Sequence, residues 1–397
     1  MRISFLLAGL TALAAAQENI QVGPDYVRFP VTVQNPTQAP AEASKRQNSV
    51  DLTKQESGTS YTIQLQFGTP PQNVVVQLDT GSTDLWVNPN CANAGSATQQ
   101  AFCNSLPHYT ASQSTTYRSG GPTYTLRYGI GNATVTYVQD TVRAGSAALA
   151  GQTFGVASNS YQLPFGILGI GPYITGNYQY SFFIDSLKAQ GFTQSRAFSL
   201  DLRSIDSAVG SIIFGGLDTG KYTGALEKLP IAPSTDGAAR YWVNLASVSI
   251  GTTVLTTSPL TVLLDSGSTL SYLPAYLHTA IGTNFPTAQL DPGGSGYYIV
   301  SCDVANQPGS VDFKFGGKTI KVAYKDIIWF VGSNVCVIGT RPTSGIYILG
   351  DSFLRAAYVV FDQDQQNIHL AQAANCGTNL VAIGTGPNAV PSIVGGC

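Results

Sequence analysis

Two short apolar runs stand far apart in the chain, Val74-Val75-Val76-Gln77-Leu78 and Thr261-Val262-Leu263-Leu264, and each leads straight into the same phrase. The phrase is Asp79-Thr80-Gly81-Ser82-Thr83 in the first copy and Asp265-Ser266-Gly267-Ser268-Thr269 in the second. Each run is too short for a helix and is closed by a glycine turn, which predicts a buried strand ending on an aspartate. Gly81 and Gly267 allow a sharp turn with no Cβ in the way. The neighbouring hydroxyls of Thr80, Ser82, Ser266 and Ser268 are placed to hydrogen-bond the carboxylates.

Elsewhere the pattern is mostly that of strands and turns. Tyr124 to Tyr137 alternates polar and apolar residues around Gly129 and Gly131, which predicts a hairpin. Helical spacing is confined to Ser181 to Ala189, Pro274 to Ile281 and Ser352 to Ala356. Trp242, Trp329 and Phe330 are expected in the core or between lobes. At the start, the apolar stretch Phe5 to Ala16 behind Met1-Arg2 reads as a secretory signal peptide over residues 1–16, too short to span a membrane. Residues 17–46 are rich in Pro, Gln and Ala, show neither period and end on Lys45-Arg46, a site for a dibasic processing protease. They read as a propeptide, with the mature chain beginning near Gln47.

Composition narrows the class. Only 11 % of residues are charged, while Gly numbers 42 and Tyr 20, a balance that suits a β-rich extracellular protein. A net charge of -2 gives no footprint for nucleic acid or an anionic membrane. The Gly- and Ala-rich end, Asn375 to Cys397, has no apolar tail and so predicts no lipid anchor. Six cysteines behind a signal peptide predict disulfides, with connectivity left open by the sequence. The absence of CxxC or HxxxH spacing predicts no metal site, and no cofactor is expected. His108, His278 and His369 are scattered and read as solvated.

If two similar halves pack face to face, Asp79 and Asp265 meet. Two like charges at ~4 Å and an effective dielectric of ~20 repel by ~4 kcal/mol. That is roughly three pKa units on the second ionisation, so the pair keeps one proton and titrates as a unit. Such a pair is base and acid at once: it can take a proton from a water and donate one to a carbonyl oxygen.

The chain resembles the pepsin-type aspartic proteases, secreted fungal members in particular. The resemblance rests on five ordered segments: Tyr61 to Gln72, Asp79 to Val87 with Trp86, Gly166-Ile167-Leu168-Gly169, Asp265 to Thr269, and Ile348-Leu349-Gly350-Asp351. It implies an all-β, bilobal fold with a few short helices, an active-site cleft between two related β-lobes, and a shared-proton dyad of the kind established for that family. The lobes are expected at 47–222, with the flap, and at 223–397, Ile213-Phe214-Gly215-Gly216 resembling the connecting strand. Tyr128-Gly129-Ile130 resembles the tip of the family's substrate-covering flap, its tyrosine bonded toward Trp86, and Thr269 is expected to contact substrate. Proximity and resemblance together suggest the pairs Cys91-Cys103, Cys302-Cys336 and Cys376-Cys397. The implied activity is that of a secreted, monomeric endopeptidase acting on protein or peptide substrates at acid pH and blocked by statine-type inhibitors.

Departures from the family pattern also carry predictions. Ile130 stands where the family commonly has a polar or acidic residue, which predicts apolar residues around the scissile bond. The short, weakly charged propeptide leaves open how the zymogen is silenced. Asn132-Ala133-Thr134 is an N-glycosylation sequon beside the flap tip. Two other classes compete. A glycoside hydrolase also uses paired carboxylates, without duplicated Asp-hydroxyl-Gly turns. A catalytically dead binding homologue would lack an aspartate, a glycine or the flap tyrosine, and all are present.

Overall fold

The computed structural model describes residues 20–34, 60–172, 178–207, 209–332 and 335–397. The predicted signal peptide and the Lys45-Arg46 pair lie outside these residues. Among them β-strands dominate, in keeping with the two-lobed all-β expectation.

The largest sheet runs continuously through the molecule and carries strands from both halves of the chain. Its middle is the succession Ala357–Asp362, Ala197–Asp201, Val209–Phe214, Val27–Gln34, Ser60–Phe67 and Gln72–Asp79. Packing behind it is almost entirely aromatic and aliphatic: Phe198 stacks on Phe361 with ring centroids 4.8 Å apart, and Phe29 meets Phe214 edge-on. The second half adds a five-stranded sheet in which Leu260–Leu264 lies between Trp242–Leu245 and Ile348–Leu349.

One strand corrects the reading of residues 17–46 as lacking a period. Val27–Gln34 is a strand inserted between Val209–Phe214 and Ser60–Phe67, with Val27, Phe29 and Val31 fully buried. Its alternation is only eight residues long and Pro30 interrupts its donors, so the surrounding Pro- and Gln-rich composition hid it.

The helices form close to their expected places, at Phe183–Ala189, Ala275–Asn284 and Asp351–Leu354. A further helix, Ala97–Ser105, was not read from the sequence because its apolar spacing is weak; it is set by a capping box between Ser96 and Gln99. Of the three bulky aromatics assigned to the interior, Trp242 and Trp329 are buried, but Phe330 is 47 % exposed, since neighbours on a strand face opposite ways. His278 and His369 are buried rather than solvated. His278 is held between Thr340 Oγ1 and the carbonyl of Gly296, and burial, its dominant cause, lowers its pKa. Disulfides join Cys91 to Cys103, Cys302 to Cys336 and Cys376 to Cys397. A loop closed by such a bridge gains about 3 kcal/mol by constraint of the unfolded chain.

Candidate active site

Each aspartate is delivered by the same local construction. Gln72–Asp79 lies parallel to Gly166–Gly169, which also pairs antiparallel with Leu85–Val87, so the strand ending in Asp79 is clamped on its far side. In the second half, Leu260–Leu264 lies parallel to Ile348–Leu349, and Ile348 pairs antiparallel with Tyr272. Both aspartates are buried at the floor of one cleft of about 950 Å³.

The bonds around the two carboxyls repeat almost atom for atom. Asp79 Oδ1 accepts from Gly81 N–H at 2.8 Å and its Oδ2 from the Ser82 hydroxyl. Asp265 Oδ1 accepts from Gly267 N–H at 2.9 Å and its Oδ2 from Ser268 Oγ at 2.7 Å. The residues between cross over. Thr80 Oγ1 donates to Leu264 O at 2.8 Å and accepts from Ser266 N–H at 2.9 Å, while Ser266 Oγ donates to Leu78 O at 3.0 Å and accepts from Thr80 N–H at 3.2 Å. Four interlocked, fully buried bonds thus fix one turn against the other.

The glycines do more than the sequence suggested. A Cβ on Gly81 would stand 2.6 Å from Asp265 Oδ1, and one on Gly267 would stand 2.4 Å from Asp79 Oδ1. Each glycine therefore makes room for the carboxyl of the opposite half. The two carboxyls lie within hydrogen-bonding reach of each other, and burial followed by the charge of Asp265 raises the pKa of Asp79 well above the usual carboxylate range.

Over the cleft stands the predicted hairpin, Thr123–Arg127 paired with Asn132–Ala144 and closed by Tyr128 N–H to Gly131 O at 3.1 Å. Tyr128, Gly129 and Ile130 line the cleft, as does Thr269 from the second turn. Trp86, fully buried, donates its indole N–H to Tyr128 Oη at 2.7 Å. Asn132 begins the returning strand, opposite Arg127 and Tyr161, at the base of the flap tip.

Asp84 and Arg240 are among the cleft residues that had not been singled out. Asp84 accepts at Oδ1 from the hydroxyls of Tyr137 and Tyr180, tying the flap strand to an aromatic wall that includes Tyr178 and Phe182. Its position inside the Asp79 to Val87 segment was the available signal. Arg240 donates from Nη1 to Gly81 O at 2.7 Å. It comes from a polar loop remote in sequence, where nothing marks it. As for metals, Cys91, Cys103 and His108 gather within 4.8 Å, but the two sulfurs are bonded to each other and are not available as thiolate ligands.

Comparison with known proteins bears on the family and the fold. A family model described as eukaryotic aspartyl protease matches residues 60–373. An acid protease of Saccharomycopsis fibuligera is 33% identical over 401 residues, covering 93% of this chain and 98% of its own. Secreted aspartic protease 8 of Candida albicans is 34% identical over 341 residues, covering 83% and 80%. Among solved structures, the aspartic proteinase from Irpex lacteus superposes with a TM-score of 0.66 at 23% identity, over 79% of this chain and 94% of that one, a likeness of fold.

Proposed function

Because the chain belongs to the eukaryotic aspartyl proteases and is thus an aspartic-type endopeptidase, we propose that Asp79 and Asp265 are its catalytic dyad. One carboxyl keeps a proton and the other is ionised. The ionised member takes a proton from a water as that water adds to the peptide carbonyl, and the protonated member donates to the carbonyl oxygen. The resulting tetrahedral diol collapses when the amide nitrogen is protonated and leaves, with no covalent enzyme intermediate. Ser82, Ser268 and the N–H groups of Gly81 and Gly267 hold the carboxyl planes, while Thr80 and Ser266 set their separation. The observation carrying this reading is the mutual approach of the two carboxyls, each with its partner half's glycine beside it.

Tyr128, Gly129 and Ile130 cover the bound peptide, with Trp86 steadying the tyrosine and Thr269 facing the substrate from the other half. An isoleucine at the flap offers no counter-charge to a basic side chain, which favours apolar residues flanking the scissile bond. The secreted relative supports an extracellular place of action and the acid protease an acidic one, with residues 1–16 as signal peptide, 17–46 as propeptide and the lobes at 47–222 and 223–397. Protein and peptides are the substrates, statine-type compounds the inhibitors, and the monomer the working unit.

The test is digestion of a denatured protein at acid pH, with and without a statine-type inhibitor. Inhibitor-sensitive cleavage that disappears in Asp79→Asn is expected; cleavage that survives the substitution removes the dyad assignment. A random-peptide cleavage profile addresses the flap: Lys or Arg dominating the position before the cut would refute the apolar preference.

A further inference from the structure

The cleft is lined by three acids, Asp79, Asp84 and Asp265, and by two cations among the described residues, Arg127 and Arg240. Arg127 is an exposed residue of the flap strand. Arg240 is built in. Its neighbours Tyr241 and Trp242 are buried, Tyr241 Oη donates to Ile170 O at 2.7 Å, and Leu264, the residue before the second aspartate, donates its N–H to Tyr241 O. The backbone carrying Arg240 is therefore pinned between the two halves.

The guanidinium is held at two points. Nε donates to Asp236 Oδ2 at 2.9 Å and Nη1 to Gly81 O at 2.7 Å, with each side chain of the Arg240–Asp236 pair 24% exposed. Asp236 is in turn occupied by its own loop, accepting at Oδ1 from Ser234 Oγ and Ala238 N–H. Despite the cost of burial, those bonds and the one from Arg240 keep its carboxyl below the ordinary range. An arginine has five N–H donors in a rigid fork. Two are used here, and Arg240 lines the cleft beside the Gly81 turn with donors to spare.

We propose that Arg240 is a specificity-determining residue that reads a carboxylate on the substrate where the peptide crosses the Gly81 turn, and disfavours lysine or arginine there. This rests on the endopeptidase reading and adds a charged preference to its apolar one. The carboxylate can come from an Asp or Glu side chain or from a peptide C-terminus. A lysine at this point would face a fixed positive charge.

The experiment is a set of peptides sharing one apolar cleavage site, with Glu, Gln or Lys scanned through each flanking position and the C-terminus free or amidated. In the unaltered protein at about pH 5.5, where a free Glu is ionised, one position should show kcat/KM about tenfold higher for Glu than for Gln, the scale of a charge-assisted hydrogen bond, and lower for Lys. The Glu-to-Gln ratio should decline toward one as pH falls through the ordinary carboxylate range, a measurement that needs no variant. In Arg240→Gln the ratio at that position should be near one. If only the free C-terminus is favoured over its amide, the carboxylate read is the chain end. A flat profile in the unaltered protein, or a ratio retained in Arg240→Gln, overturns the assignment while leaving the peptidase intact. Failure to cleave any peptide instead overturns the catalytic reading and takes this inference with it.

Discussion

The turn at Asp79 and the turn at Asp265 share their strands, their glycines and their hydrogen bonds, yet they sit in different surroundings. Behind the first, the segment Ile167-Leu168-Gly169 is followed by Ile170, a buried apolar residue. Behind the second, Ile348-Leu349-Gly350 is followed by Asp351, equally buried, with no donor among the described residues to either carboxyl oxygen. Over the first stands the hairpin, its Tyr128 bonded to Trp86; the second half lines the cleft with Tyr272 and Thr343. The two turns are thus built alike, whereas their surroundings differ: one half carries the hairpin, the other a buried acid. On the proposed mechanism, the pair needs equal cradles to share a proton, but a peptide needs only one lid.

The severest way to probe the symmetry is to remove one acid. Asp79→Asn and Asp265→Asn are each expected to lower kcat by roughly a thousandfold or more without unfolding the protein, since neither half can supply acid and base alone. Circular dichroism beside the rate assay separates loss of chemistry from loss of fold. Next in size are the glycines. Gly81→Ala should perturb Asp265, and Gly267→Ala should perturb Asp79, each by pushing a methyl into the opposite carboxyl; a displacement of that order costs about a hundredfold in rate. An Ala variant with unchanged kcat would show that the halves yield instead.

The buried acid behind the second turn breaks the symmetry in stability rather than rate. Burial, outweighing the nearby Arg355, raises the pKa of Asp351 well above its ordinary value, and burial likewise pushes Asp201 up to about 6. A carboxyl that binds its proton more tightly when folded leaves stability falling as pH rises, from the unfolded value near 4 up through the folded one. His369, pushed down to about 4 by burial, acts oppositely, costing stability as pH falls from about 6.5. Urea denaturation at pH 4 and pH 7 should show lower stability at pH 7, and Asp351→Asn should shrink that difference. An unchanged difference would assign the pH dependence to other groups.

Smaller effects sharpen the lid side. Tyr128→Phe removes the acceptor of the Trp86 indole N–H and should cost about 1 kcal/mol in kcat/KM, several-fold in rate. Smallest is Ser82→Ala. The Ser82 hydroxyl opposes the upward shift of Asp79, so its loss should raise that pKa further. Since catalysis requires the pair to keep one proton, the upper limb of the pH–rate profile should move to higher pH; movement downward would contradict the role given to Ser82.

The amino-acid sequence by itself marked the proposed dyad and the two-lobed architecture that carries it. Two buried runs closed by Asp-hydroxyl-Gly are local signals, readable because a strand, a turn and a carboxylate occupy adjacent residues. The flap hairpin and most helices were legible for the same reason. What the tertiary structure decided are relations between residues far apart in the chain. Gly81 and Gly267 serve the opposite carboxyl, Thr80 and Ser266 lock across the halves, and Arg240 reaches a carbonyl 159 positions away. Burial made the same difference for Val27–Gln34, whose short alternation gained its meaning from neighbours on both sides, and for His278, His369 and Asp351, whose protonation depends on what surrounds them. A periodic pattern records which face of an element avoids water; which distant group meets that face, and at what distance, is set only when the chain packs.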